Sequence, residues 1–286
     1  VHARFGPKPS RFAPPEDAGF LQPGAVRIQG GRHRGQARKM IPIRDSIPNV
    51  HTPVMVRSII AVNAVIFLFA LHFSDYSLAR MFHEFGVVPA RFTNPQWAEW
   101  MGYPQDGYYA FFTYMFIHGG WLHFLGNMLT LWIFADNIED IMGPFKFLAF
   151  YFLCGLGALG IHILFNPDSA VPVVGASGAI AGVMGAYFLL YPHSKVVTII
   201  PIFIIPFFIE LPAVIFLGVW FLMQFFSGVS AQVGVPSGSG GVAWWAHVGG
   251  FVLGMILLRF FRDEKRCYYC YKAWKTGKPD FTFDDK

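Results

Sequence analysis

Charge is what this sequence has least of. Only 14% of its 286 residues are Asp, Glu, Lys or Arg, against roughly 25% in an ordinary soluble domain. Together with 54% apolar residues and a mean hydropathy of +0.44, that scarcity excludes a disordered chain and most soluble enzymes. Cysteine is scarce as well, and three residues cannot build a disulfide framework. A zinc peptidase needs His-Glu-x-x-His, and His83-Glu84 has no second His. An aspartyl enzyme needs two carboxylates inside apolar blocks, and the sequence has no such pair. The Gly-x-Ser-x-Gly elbow of soluble hydrolases is broken at Ala179. There is no internal repeat and no intramembrane ion pair of the kind transporters use.

What is abundant is phenylalanine, with 32 residues, and apolar runs at about 58–74, 111–135, 147–165, 171–191, 196–227 and 242–261. A helix needs ~20 mainly apolar residues to cross ~30 Å of hydrocarbon. Each run therefore predicts one span, and the fold class is all-α, a polytopic six-helix membrane bundle. The fifth run is too long for one span and is interrupted by Pro201, Pro206 and Pro212. Its first part, Val196 to Phe208, reads as a kinked or interfacial entry, with the span from about Glu210 to Phe226.

Basic residues collect before Ser58 and after Leu258; only Arg80, Arg91, Lys146 and Lys195 lie between. A nucleic-acid protein would spread such charge over a folded face, so the pattern reads as topology. Six spans place both tails on one side, and the positive-inside rule makes that side cytoplasmic. Arg80 and Arg91 alone then fall outside. Residues 1–54 read as a flexible basic arm near anionic lipid, 55–262 as the membrane domain and 263–286 as a cytoplasmic tail. Residues 1–50 lack the apolar core of a secretory signal, and the chain opens on Val1, which leaves room for residues upstream. Cys267-x-x-Cys270 is half of a zinc site; reduced thiols are the plain reading, with metal binding or lipidation as alternatives.

Polar groups inside a bilayer are expensive and mark function. His118, His123 and Asn127 lie in the outer part of the second run, Ser177 in the fourth and His247 in the sixth. At 1.5 Å per residue, Ser177 and His247 both sit on the order of 8–10 Å below the outer edge, level with His123 and Asn127. Gly178-x-x-x-Gly182 and Gly250-x-x-x-Gly254 are small-residue pairs that allow close helix contact. His247, Gly250 and Gly254 share one face, so meeting glycine faces would bring the Ser177 hydroxyl to the His247 imidazole. A serine hydroxyl becomes a nucleophile when a base takes its proton, and histidine does this near neutral pH. No Asp or Glu lies at that depth: Asp136, Glu139, Asp140 and Glu210 are all at the inner ends. The expectation is a Ser–His dyad with the imidazole held by packing. Its oxyanion hole would come from His123, Asn127 and the Ser177 N–H. The Gly119-Gly120 pair predicts a helix start near Trp121.

These residues resemble the rhomboid family of intramembrane serine proteases. The match runs through His118-x-x-x-x-His123-x-x-x-Asn127-Met128, Gly175-Ala176-Ser177-Gly178 and Ala246-His247-Val248-Gly249-Gly250 with Gly254. The resemblance implies a nucleophile at Ser177, a base at His247, and an oxyanion hole of His123, Asn127 and the Ser177 N–H. His118, Gly175, Gly178 and Gly250 would support the site. It implies no metal or cofactor, a long outer loop at about 75–110 lying partly in the membrane, and substrates that are transmembrane segments cut near the outer face. The partners expected are therefore transmembrane proteins and the lipid bilayer, not nucleic acid. The alternative is a catalytically silent rhomboid-like protein that binds or escorts transmembrane clients. Some members carry an aromatic one turn after the nucleophile; here the residue is Ala181, which leaves Trp244, Trp245 or Phe251 to position His247. The plain six-span layout points to a bacterial cytoplasmic membrane rather than a eukaryotic organelle.

Overall fold

The structure is a computed structural model that describes residues 41–104, 106–202, 205–233 and 242–266. Cys267, Cys270 and most of the basic arm lie outside the described residues. In chain order the elements are β1 (Ile41–Arg44), α1 (Val54–Ala70), and four short helices, α2 (Asp75–Phe85), α3 (Pro89–Thr93), α4 (Pro95–Trp100) and α5 (Ala110–Thr113). Then follow α6 (Trp121–Met142), α7 (Pro144–Phe165), α8 (Ser177–Leu190), β2 (Lys195–Ile202), β3 (Ile205–Pro212), α9 (Ala213–Gln232) and α10 (Trp244–Phe261). The described chain is mostly helical, and the long helices coincide with the apolar runs. Of these, α7, α9 and α10 are long and apolar enough to cross a membrane, while α1 and α8 are apolar but shorter. The 22 residues of α6 have the length, but the helix spends positions on His123, Asn127, Asp136 and Asn137.

Two expectations are corrected here. The chain is not all-α: β1, β2 and β3 form a three-stranded antiparallel sheet. Val196 to Phe208, read as a kinked or interfacial entry, is not a kink but falls in the β2–β3 hairpin, and the following helix begins at Ala213 rather than near Glu210. The composition explains this. Val, Ile and Phe favour a pleated strand, and proline breaks a helix but is tolerated where strands end. Pro201 pairs with Pro206 near the hairpin's turn. At the other end Lys195 and Glu210, the charged residues of the hairpin, meet at 2.8 Å.

β1 pairs with β2, matching Ile41 to Ile199, and the chain from there to α1 is held by carboxylates in the C-terminal part of α6. Asp136 accepts a hydrogen bond from the Asn49 side chain at 2.7 Å. Asp140 accepts from the Val50 and His51 backbone N–H groups at 2.9 and 3.1 Å. Glu139 accepts from Met55 and Val56 N–H at 2.9 and 2.8 Å. Because Pro53 offers no side-chain cap, the Glu139 carboxylate satisfies the orphan N–H groups at the start of α1.

Glycine sets the helix packing around the site. A Cβ on Gly250 would lie 2.1 Å from the Gly178 carbonyl oxygen, and one on Gly254 would lie 1.9 Å from that of Gly182. The backbones of α8 and α10 therefore touch directly. On the other flank of α8, a Cβ on Gly178 would lie 2.8 Å from Ala158 of α7. The 14 residues of α8 rise roughly 21 Å, less than the ~30 Å hydrocarbon thickness. Residues 171–176 form a loop that leads into Ser177 at the start of α8. The outer loop is pinned to it through paired Val87 and Val173 backbones, with N–H to O distances of 3.0 and 2.7 Å.

Candidate active site

Ser177 is the first residue of α8, and His247 lies in the first turn of α10. Close glycine packing brings their side chains together: Ser177 Oγ and His247 Nε2 are 2.7 Å apart. The other ring nitrogen, Nδ1, is 2.7 Å from Gln224 Oε1 on α9. An amide oxygen only accepts, so with Gln224 in this orientation a proton on Nδ1 would leave the Nε2 lone pair for the Ser177 hydroxyl. That is the tautomer a general base requires.

The imidazole is thus not held by packing alone, as the residue pattern suggested. Gln224 is the site residue that sequence reasoning missed, because it is not one of the carboxylates that usually complete a triad. A signal was there: Phe216, Trp220, Gln224 and Gly228 recur at helical spacing, and Gln224 is the first polar side chain of α9, after eleven apolar residues. Of the three aromatic candidates only Trp244 lies beside the His247 ring, and Trp220 joins it. Trp220 lies 5.9 Å from the His247 ring centroid at 35°, and Trp244 lies 6.3 Å away at 90°. Trp245 stacks on Phe165 instead, and Phe251 packs on Trp220 and Phe221.

Opposite Ser177, α6 begins at Trp121 with His123 in its first turn. The Gly119 N–H points to His123 Nδ1 at 3.4 Å, which leaves the proton on Nε2. Asn127, one turn later, is buried, and its Nδ2 has no partner among the described residues. Both free donors face the loop before Ser177. A Cβ on Gly175 would come within 2.5 Å of His123 Nε2 and 3.6 Å of Asn127 Nδ2. Gly175 also has φ +119°, a conformation that side chains disfavour, so glycine is required there twice over. The Ser177 N–H belongs to the first helical turn, where no intrahelical acceptor exists. His118 is 3% exposed and packs edge-on against His123 and Phe124, with centroids 5.1 and 5.5 Å away. It backs the His123 ring.

All four polar residues line a cavity of about 1180 Å³. Its rim includes the exposed Trp121, Leu122 and Val171, and its wall reaches down between α6, at Thr130, and α9, at Phe216 and Trp220. Among the described residues no three His, Cys, Asp or Glu side chains converge as metal ligands.

Comparison with known proteins agrees with this layout. The family model described as Rhomboid domain matches residues 105–264. The chain is 29% identical over 147 residues to Rhomboid protein 1, mitochondrial, of Saccharomyces cerevisiae, covering 49% of this chain and 38% of that protein. It is 32% identical over 147 residues to Rhomboid-like protease 5 of Toxoplasma gondii, covering 50% and 15%. It is 32% identical over 91 residues to Putative rhomboid protease YdcA of Bacillus subtilis (strain 168), covering 32% and 45%. The chain thus spans less than half the length of these relatives. One relative carries a mitochondrial name, which removes the basis for preferring a bacterial membrane. The domain match takes in all four polar residues, the glycine pairs and the apolar helices that carry them, and it covers more than half of the chain: this is an integral membrane protein of the rhomboid family.

Proposed function

We propose that the protein is an intramembrane serine endopeptidase that cleaves transmembrane segments near the outer face of the membrane. The observation that carries this reading is the 2.7 Å contact between Ser177 Oγ and His247 Nε2, made in a cavity that His123 and Asn127 also line. Ser177 Oγ attacks the scissile carbonyl carbon, and its proton passes to His247 Nε2. The carbonyl electron pair moves onto oxygen, where His123 Nε2–H, Asn127 Nδ2 and the Ser177 N–H receive it. The imidazolium protonates the leaving nitrogen, the C–N bond breaks and an acyl-enzyme remains. Water, giving its proton to Nε2, then releases the new carboxyl terminus and restores the Ser177 hydroxyl.

The bilayer and the cavity wall support the substrate class. Six spans with both termini on the cytoplasmic side would place Ser177 toward the outer leaflet, and the gap between α6 and α9 offers a transmembrane segment a lateral approach. The test is cleavage of a single-span reporter by purified protein in liposomes, with Ser177→Ala in parallel. Cleavage by the wild type, lost in the variant and insensitive to a chelator, is expected. Equal activity in both, or abolition by the chelator, overturns the reading. An inactive wild type that still retains the reporter would favour the client-escort alternative.

A further inference from the structure

We propose that Gln224 is a positioning residue that fixes the tautomer of His247, in the place an acid would occupy in a triad; this rests on the protease reading above. Four observations carry it. First, Gln224 is 7% exposed on a helix whose neighbouring residues Leu222, Met223 and Phe226 are each at least half exposed. A primary amide turned inward is costly unless it is hydrogen-bonded, and its partner is His247 Nδ1 at 2.7 Å. Second, Gly228, one turn further along α9, lets the helices close: a Cβ there would lie 3.2 Å from the Trp245 ring and 3.4 Å from Trp244 Cβ. That approach brings Gln224 within reach of α10. Third, Trp220, one turn before Gln224, lies beside the same imidazole, so α9 holds the ring by one polar and one aromatic contact. Fourth, α8 supplies no such support, because the residue one turn after Ser177 is the buried Ala181.

The chemical consequence is specific. With Oε1 accepting from Nδ1–H, Nε2 is unprotonated and takes the Ser177 proton. With the amide turned over, its NH2 would donate to Nδ1 and move the ring proton to Nε2, where it would face Ser177 Oγ and block base catalysis. A neutral amide orients the ring without placing a second charge in the membrane, where a carboxylate is expensive.

The test uses purified full-length protein in liposomes, with three readouts. Imidazole 15N chemical shifts, assigned by the signal lost in His247→Ala, should show Nδ1 protonated in the wild type. They should show a mixture of tautomers in Gln224→Met, which keeps the side-chain length but lacks the amide oxygen. Reporter cleavage by Gln224→Met should lose at least about 10-fold in kcat, short of the ~10⁴-fold that a wholly wrong imidazole tautomer costs in a Ser-His-Asp triad, with little change in KM. Gln224→Glu, whose carboxyl oxygen accepts in either protonation state, should recover most of that loss. Reaction of Ser177 with a fluorophosphonate should slow in Gln224→Met. An Nε2-protonated wild type, unaltered kcat in Gln224→Met, or a loss confined to KM overturns the assignment. If Gln224→Met does not fold, the wild-type tautomer decides. A wild type that neither cleaves nor labels at Ser177 defeats the protease reading instead, and the tautomer measurement still judges Gln224.

Discussion

Asn127 holds a donor that none of the described residues takes up. Its amide is buried with Nδ2 unpartnered, and a buried donor without an acceptor costs roughly 1–3 kcal/mol. A donor left open in this way is suited to an oxygen that appears during turnover. Asn127→Ala should therefore leave the fold no less stable and lower kcat by about 10²–10³-fold, the size of one oxyanion donor, with KM nearly unchanged. Steady-state cleavage in liposomes, with the unfolding midpoint measured alongside, reads both. A large rise in KM at unchanged kcat would instead make Asn127 a substrate-binding residue. The candidate site was legible at this scale because polar side chains stand out inside apolar runs: Ser177, His247, His123 and Asn127 announce themselves. Gln224 does so less, since a lone amide in a span is also common helix glue, and its meaning depends on which helix it faces.

At the scale of elements, the decisive contact is between two glycine faces. Gly254 sits against the Gly182 carbonyl, one helical turn below the pair that seats His247 near Ser177. Gly254→Val must push α10 off α8 or force strain into both. Overpacking of this kind costs roughly 1–3 kcal/mol, and the dyad, two turns away, should open. Thermal unfolding should show a lower midpoint, and fluorophosphonate labelling of Ser177 should fall with it. Unchanged labelling would mean that the helix contact does not set the dyad geometry. The small-x-x-x-small spacing made this contact readable, because the residue type is itself the steric reason. The β2–β3 hairpin was not readable in the same way. Hydropathy is equally high for a buried strand and a helical span, and only the density of β-branched residues around Pro201 and Pro206 separates them. Ile41–Arg44 was missed for a different reason: its partner strand is about 150 residues away, and such pairing leaves no local periodicity.

For the whole molecule, a set of carboxylates at the end opposite Ser177 fastens the segment before α1 to the bundle. Asp45, outside the spans, accepts hydrogen bonds through Oδ2 from the Tyr187 hydroxyl and from Asn137 Nδ2. Burial pushes its carboxyl from 3.8 up to about 7, the Tyr187 hydrogen bond opposes this, and the nearby Asp136 carboxylate adds to it. A group with a raised folded-state pKa binds its proton more tightly in the native protein. Its contribution to stability is complete below about 3.8 and is lost as pH rises through about 7. Asp136, Asp140, Tyr191 and His51 share this end of the molecule, so the effect is isolated by substitution. Asp45→Asn keeps the shape of the protonated acid and cannot ionise. The wild-type unfolding midpoint in detergent should fall from pH 5 to pH 8 more steeply than that of Asp45→Asn, and the two curves should converge on the acid side. Parallel curves would show that Asp45 ionises as freely in the fold as in the unfolded chain. Because Tyr187 is on α8, the same helix that begins at Ser177, loosening at Asp45 acts on the C-terminal part of the helix that presents Ser177. Reporter cleavage at pH 8 should then be less heat-resistant in the wild type than in Asp45→Asn, while the two should match at pH 5.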